Sequence, residues 1–506
     1  MKKYSNNNLS VSLVHNGLWI LFVIALAIAG REVLRGNEML NLFSIELGGV
    51  KSTFALKIDT ISALMFLMIT LLGAIIGRYS LRYLGGEKRQ VYFFKYLFLT
   101  LTSVSLLVLS NNLLMFFSMW LLSSFGLHKL LLYSPDRKQA VAAAWKKFFV
   151  SRFGDIAILL AIVLTYQTFK TFDFSQLFLA ASAISPKSPE AYQLSIIGIL
   201  FVIGAISKSA QFPFHFWLPE TMETPAPVSA LMHAGIINAG GFLIIRLSPM
   251  LKQAETAHLI LTFFGSLTAV FGALVMITQN DIKKKLAYST ISQMGVMMVS
   301  CGLGAYSLAL FHIIAHSFYK SHAFLSTGFI VEESKKVKFN HSNPSMTFIV
   351  FGVVAGYLLI TLGTIYSEKQ YMAYFAYAAI LLLGFVQNFD FSQQSFEKIG
   401  SKFFVILSFI LIFSLGICFI LESFLHDKLT MLTPMTWGEN ENYSLQVVAC
   451  YISYTIFAIG LGLSMLLINS KNALSNKLYL YFWNGGYFSQ RTSSFFNQMT
   501  SKKGAS

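Results

Sequence analysis

Apolar runs close to twenty residues long recur along the whole of this chain. As a helix, that length crosses roughly 30 Å of hydrocarbon. This feature constrains the fold most, because in lipid every backbone N–H and C=O must be satisfied by the spanning structure itself. The hydropathy criterion predicts about fourteen spans. They lie near residues 13–30, 58–80, 92–110, 112–132, 148–167, 195–214, 225–247, 257–278, 286–304, 306–330, 345–365, 371–387, 403–421 and 446–468. The stretch Leu13–Gly30 has no small-residue cleavage pattern after it and is read as the first span. Charged residues make up only 12% of the 506 positions, against about 25% in soluble domains. With 55% hydrophobic residues and 48 Phe, an ordinary soluble enzyme and a disordered chain are both excluded. The predicted class is all-α, a polytopic integral membrane protein.

A formal charge of +16 on so few charged residues needs a cause. On a soluble domain it would suggest nucleic acid. Here the basic residues fall mainly on alternate loops: Arg78, Arg82, Lys88 and Arg89 after span two, and Arg137, Lys138, Lys146 and Lys147 after span four. Lys283, Lys284 and Lys285 follow span eight, and Lys335, Lys336 and Lys338 follow span ten; only the short loop after span six has none. This is the positive-inside bias, and it predicts both termini in the cytoplasm and no nucleic-acid partner. Asn37–Lys57 alternates briefly and then meets Gly48 and Gly49, which predicts a small hairpin on the outer surface. The organisation expected is 1–90 for N-terminal spans and hairpin, 91–400 for a conducting core, 401–468 for C-terminal spans and 469–506 for a polar, aromatic cytoplasmic tail that lies at the interface or docks on a partner. Cys301, Cys418 and Cys450 are scattered in apolar runs, so no disulfide framework, metal site or iron–sulfur centre is expected in this chain.

Ionisable groups inside spans are costly and are functional candidates by default. Span five carries Arg152 and Asp155 at i,i+3, either a local structural pair or part of a path. Span six carries Lys208, and span seven carries His233, which alone would read as a hydrogen-bonded core residue. Span ten places His312, His316 and Lys320 at i, i+4 and i+8, one stripe along a helix, with His322 off it. Such a stripe cannot face lipid cheaply and points to an internal, partly hydrated proton path. Lys95 and Lys129, near span ends, are expected to reach the interface instead.

After Lys208 come Pro213, Pro219, Pro225 and Pro227, four of the ten prolines. Proline removes a backbone donor and frees a carbonyl, so the predicted element is a broken helix near Pro213–Pro227. Broken backbone at membrane depth lines a cavity, and the negative end of a half-helix suits a buried lysine or a passing cation. Glu220 and Glu223 lie just past the break and read either as a gate or as surface carboxylates.

The residues around the break carry a resemblance. Ser207-Lys208-Ser209-Ala210-Gln211-Phe212-Pro213, Trp217-Leu218-Pro219 and Pro225-Ala226-Pro227-Val228-Ser229-Ala230-Leu231-Met232-His233-Ala234 resemble the signature of the proton-conducting antiporter-like family. Asp281-Ile282-Lys283, Leu286-Ala287-Tyr288-Ser289-Thr290 and His316-Ser317-Phe318-Tyr319-Lys320 extend it over roughly residues 90–330. The family includes the antiporter-like subunits of respiratory complex I and of Mrp sodium/proton antiporters. The resemblance implies an antiporter-like fold, with Lys208 as the broken-helix lysine, Asp155 as the characteristic aspartate, and His312, His316 and Lys320 on a central hydrophilic axis.

There are two departures. Trp120 is followed by Leu121 where complex I homologues have a glutamate, which leaves Asp155 as the candidate carboxylate for Lys208. No lysine stands on the later spans in 345–387 apart from Lys369, in a loop. The missing glutamate, Gly126-Leu127-His128-Lys129-Leu130 and His233-Ala234-Gly235-Ile236-Ile237-Asn238-Ala239-Gly240-Gly241-Phe242 are similar to the DabB branch of inorganic-carbon pumps. That branch implies a non-enzymatic transporter subunit in the bacterial inner membrane, conducting H⁺ or Na⁺ inward. It also implies a DabA-like soluble partner on the cytoplasmic face, zinc-containing and carbonic-anhydrase-like, so that zinc belongs to the partner. A proton-pumping complex I-like subunit and a Mrp-type antiporter subunit are the alternatives.

Overall fold

The computed structural model describes residues 2–47, 50–185, 188–327, 346–366, 372–388, 416, 443–469 and 472–492. Helix α1 (Lys2–Arg35) leads into strands β1 (Glu38–Leu47) and β2 (Val50–Ile58). There follow α2 (Thr60–Tyr83), α3 (Gln90–Val108), α4 (Leu113–Leu131), α5 (Lys138–Phe169), α6 (Phe174–Ser182) and α7 (Pro189–Lys208). Short turns then carry α8 (Trp217–Glu220) to α9 (Ala226–Ala234), α10 (Ala239–Leu251), α11 (Glu255–Thr278), α12 (Ile282–Gly302) and α13 (Tyr306–Leu325). The remaining described helices are α14 (Met346–Tyr366), α15 (Met372–Asn388), α16 (Tyr443–Asn469) and α17 (Ala473–Trp483).

Among the described residues, nine helical segments are long and apolar enough to cross a membrane, and two shorter apolar helices, Gly352–Ile365 and Met372–Leu383, accompany them. The adjoining predictions 92–110 and 112–132 form separate helices, as do 286–304 and 306–330. The predicted span 403–421 lies outside the described residues except for residue 416.

The hairpin forms, with Glu38 opposite Ile58, Leu47 opposite Val50 and a bulge near Asn41/Phe43. Its cross-strand pair Phe43–Phe54 stacks at 4.8 Å. Lys57 N donates to Leu109 O at 2.7 Å, and Asn112 Nδ2 to Thr53 O at 2.7 Å, tying the hairpin to the bundle. At its base sits a charge cluster that hydropathy did not single out. Asp59 caps α2, and its Oδ1 accepts from Ser62 N at 2.8 Å. Arg246 of α10 donates to Asp59 Oδ2 at 2.6 Å, to Ser62 Oγ at 2.5 Å and to Val108 O at 3.2 Å. Lys57 Nζ lies 3.6 Å from the same carboxylate. Removing one partner of a buried pair leaves the other charge uncompensated and costs about 3–5 kcal/mol. Asp59→Ala is therefore expected to lower the thermal unfolding midpoint in detergent by several degrees; an unchanged midpoint would remove the cluster from the account of stability.

One correction concerns the basic loop after span four. Helix α5 starts at Lys138, ten residues before the predicted span, because Ala140, Ala143 and Ala144 favour helix and pack in the core. Lys146 and Lys147 are thus buried helix residues rather than loop cations. The aromatic tail also has a definite place. After α17 a turn with positive φ at Gly485 (59°), Gly486 (66°) and Tyr487 (62°) turns the chain onto α11 and α8. Left-handed backbone of this kind suits glycine, which has no Cβ to clash. Trp483 O accepts from Gln279 Nε2 at 3.1 Å, and Phe488 packs against Phe212, His215 and Phe271.

Candidate functional site

The predicted residues fall into two buried clusters and a mouth. The first cluster forms where α7 ends. Lys208 is its last residue and 3% exposed, so its ammonium sits at the negative end of the helix dipole. Lys208 Nζ lies 4.5 Å from the Trp120 ring centre and 3.4 Å from Trp120 O. Trp120 Nε1 donates in turn to Asp155 Oδ1 at 2.8 Å, and the other oxygen of Asp155 pairs with Arg152 at 2.6 Å. Asp155 therefore stands near Lys208, as the missing glutamate suggested, but reaches it through the indole. Among the described residues no carboxylate oxygen lies within 4 Å of Lys208 Nζ. Cation–π contact plus a carbonyl is a weaker hold than a salt bridge.

Lys147 belongs to the same cluster. It is 2% exposed, and its Nζ donates to Ser124 Oγ at 2.9 Å and Ser124 O at 3.2 Å. It lies within electrostatic reach of Lys208 and Asp155. The signal was present in the sequence: Lys147, Ser151 and Asp155 have i, i+4, i+8 spacing, one face of α5.

The second cluster centres on α13, which packs on α9, α10 and α12. Lys320 is fully buried and donates to Leu286 O at 3.2 Å. His312 and His316 follow on the same face, with ring centres 6.0 Å apart. His233 of α9 stacks on Phe324 at 4.3 Å and its Nδ1 meets Thr290 Oγ1 at 3.1 Å. Lys320, His316 and His233 interact electrostatically, so the structure brings the stripe and His233 together. His322 is exposed, off the stripe. Between the clusters the break of α7 is tied to the turn linking α9 and α10: Ser209 Oγ donates to Ile237 O at 2.6 Å, and Asn238 Nδ2 donates to Ser317 Oγ at 2.8 Å.

Among the described residues, several buried polar atoms along this axis have no hydrogen-bond partner. They are His233 Nε2, Asn238 Oδ1, His312 Nε2 and both ring nitrogens of His316. Native proteins rarely leave such atoms unsatisfied, and bridging water is the usual partner. His312 also lines a cavity of about 570 Å³ with Ser292, Gln293, Tyr377 and Ser464, between α11, α12, α15 and α16.

The mouth lies at the other end of α8. Glu220 takes Lys146 Nζ at 2.7 Å on both oxygens and also accepts from Ser489 Oγ. Glu223 is exposed, and its carbonyl accepts from Arg137 at 3.1 Å. Both glutamates line a cleft of about 470 Å³ with Lys146, Tyr288, Trp483 and Ser489. Pro213 and Pro219 stand within the break, while Pro225 and Pro227 open α9. Proline there costs nothing, because the first N–H groups of a helix have no partner to lose.

Residues 110–348 match the family model described as NADH:quinone oxidoreductase/Mrp antiporter, TM. Residues 45–94 match NADH-Ubiquinone oxidoreductase (complex I), chain 5 N-terminus. The chain is 37% identical over 347 residues to the "Probable inorganic carbon transporter subunit DabB2" of Halothiobacillus neapolitanus, covering 69% of this chain and 62% of that one. It is 32% identical over 423 residues to NADH-ubiquinone oxidoreductase chain 5 of Dictyostelium citrinum, covering 79% and 63%. The chain thus spans under two thirds of the length of these relatives. In fold it resembles a chain of the Mrp complex from Dietzia sp. DQ12-45-1b, with a TM-score of 0.59 at 20% identity, over 97% of this chain and 60% of that one.

Proposed function

We propose that this chain, whose residues 110–348 match the family model described as NADH:quinone oxidoreductase/Mrp antiporter, TM, is the cation-conducting subunit of an energy-coupled inorganic-carbon transporter. The ion is H⁺, with Na⁺ the alternative, and it runs inward. The observation that carries the reading is the Lys208–Trp120–Asp155 chain together with the Lys320–His316–His312 stripe, which supplies proton carriers inside the bundle. Likeness to the inorganic-carbon relatives supports the substrate class.

In this reading a proton passes along the α13 stripe and His233 to Lys208. Protonated Lys208 is held over the Trp120 ring; neutral Lys208 releases it, and the hydrogen bond from Trp120 to Asp155 passes the change to α5. Helix α5 also carries Lys146, which holds Glu220 at the mouth. The mouth is the cytoplasmic end, where a DabA-like zinc-containing partner hydrates CO₂ in one direction; the zinc is the partner's. The chain itself performs no chemistry on carbon. It sits in a bacterial inner membrane with both termini on the cytoplasmic side.

The test is bicarbonate accumulation in carbonic-anhydrase-deficient cells that express the chain with its zinc partner. Accumulation should stop when proton and sodium gradients are both collapsed. Accumulation that persists contradicts the coupling. The long match to complex I chain 5 favours a second reading, a proton-pumping subunit of a quinone-reducing complex or a Mrp-type antiporter; it expects no bicarbonate accumulation at all.

A further inference from the structure

We propose that His215 is a further proton-carrying residue, which links the Lys208 cluster to the Glu220 mouth across the broken helix. The inference rests on the proton-path reading above. His215 lies in the turn Phe214–Phe216, between Lys208 and Glu220 along the chain, and is 1% exposed. Among the described residues, neither of its ring nitrogens has a hydrogen-bond partner. Its walls are rings: Phe271 at 4.9 Å, Phe488 at 5.2 Å and Phe212 at 5.7 Å between centres.

A residue chosen only to fill an aromatic box would be phenylalanine, which leaves no polar atom to desolvate. Each unsatisfied buried nitrogen carries the full penalty of its lost hydration. The imidazole therefore needs a partner that the described residues do not supply, and two neighbours on the same stretch share that property. Gln211 Oε1 and Trp217 Nε1 are buried and also without a partner among the described residues. Three orphaned polar side chains between one buried lysine and one carboxylate outline a path for water between them.

The tail fixes the other end of that path. Phe488 packs on the His215 ring, and the next residue, Ser489, donates to Glu220. Neighbouring Cα atoms are ~3.8 Å apart, so adjacent side chains of one segment touch both the imidazole and the carboxylate. Neutral imidazole takes a proton on one nitrogen and gives it up from the other, which suits a relay with a single side chain.

The experiment measures proton entry with a pH-sensitive dye in membrane vesicles from cells expressing the chain with its co-purifying subunits. Wild type, Lys208→Ala, His215→Phe and His215→Ala are compared at equal membrane content, His215→Ala with and without millimolar imidazole. The expected result is a fall of about tenfold or more in His215→Phe, which keeps the aromatic packing, and partial recovery of His215→Ala by imidazole. Wild-type entry in His215→Phe, while Lys208→Ala is blocked, overturns the inference and leaves the proton path intact. A fall in His215→Phe with no imidazole recovery in His215→Ala assigns His215 to packing and also overturns it. No proton entry in wild type fails the proton-path reading itself.

Discussion

Lys208→Ala is expected to abolish gradient-driven bicarbonate accumulation while the protein still reaches the membrane at normal yield. Loss of a positioned proton carrier slows transfer by about two to four orders of magnitude, which in a transport assay is indistinguishable from zero. Folding should survive for a specific reason. The ammonium makes one long bond to Trp120 O and a ring contact, and among the described residues no carboxylate is paired directly with it. Truncation therefore strands no buried countercharge; Asp155 keeps Arg152 and the Trp120 indole. Lys208→Arg is expected to fail as well, because guanidinium does not release its proton in a protein. Uptake unchanged in Lys208→Ala would remove this lysine from the mechanism.

Gly154→Val should have an effect as large through geometry alone. A Cβ at Gly154 would overlap Ser207 Oγ and approach Ser207 Cβ to 2.8 Å, so α5 and α7 meet there in near backbone contact. Gly204 makes the reciprocal approach, where a Cβ would overlap Ile158. Ser207 precedes Lys208 and Gly154 precedes Asp155, so a branched side chain at this crossing separates the lysine from the aspartate that faces it through Trp120. Overpacking of this kind costs about 1–3 kcal/mol, and more where backbone must move. The expected outcome is reduced yield of folded protein and no detectable uptake by the fraction that folds. Gly154→Ala should show the same defect in milder form. Normal uptake in the valine variant would mean that the α5–α7 spacing is not used.

How far the sequence reveals this arrangement depends on what kind of force sets each part. The spans are legible because a run of apolar residues has one stable place, and the α13 stripe is legible because three ionisable groups with helical spacing have no cheap alternative. The broken helix is legible from its prolines. Lys146 and Lys147 were misread because a hydropathy window ends a span at the first cations, although Ala140, Ala143 and Ala144 carry the helix on inward and Glu220 and Ser124 await the two lysines. Asp59 and Arg246 sit 187 residues apart, and nothing local pairs them. In the sequence a lone histidine between aromatic residues reads as packing; what sets His215 apart is that neither ring nitrogen has a hydrogen-bond partner among the described residues. The role of Trp120 as the link between Lys208 and Asp155 is a tertiary fact, since the three residues come from three helices.

Coupling itself is tested by CO₂ hydration in the purified complex, reconstituted in vesicles across which a proton gradient is imposed. The account predicts that hydration on the partner's side accelerates with an inward gradient, falls to its ungated level with a protonophore, and loses its gradient response in Lys208→Ala. Hydration that proceeds at one rate whatever the gradient, with and without Lys208, would contradict it.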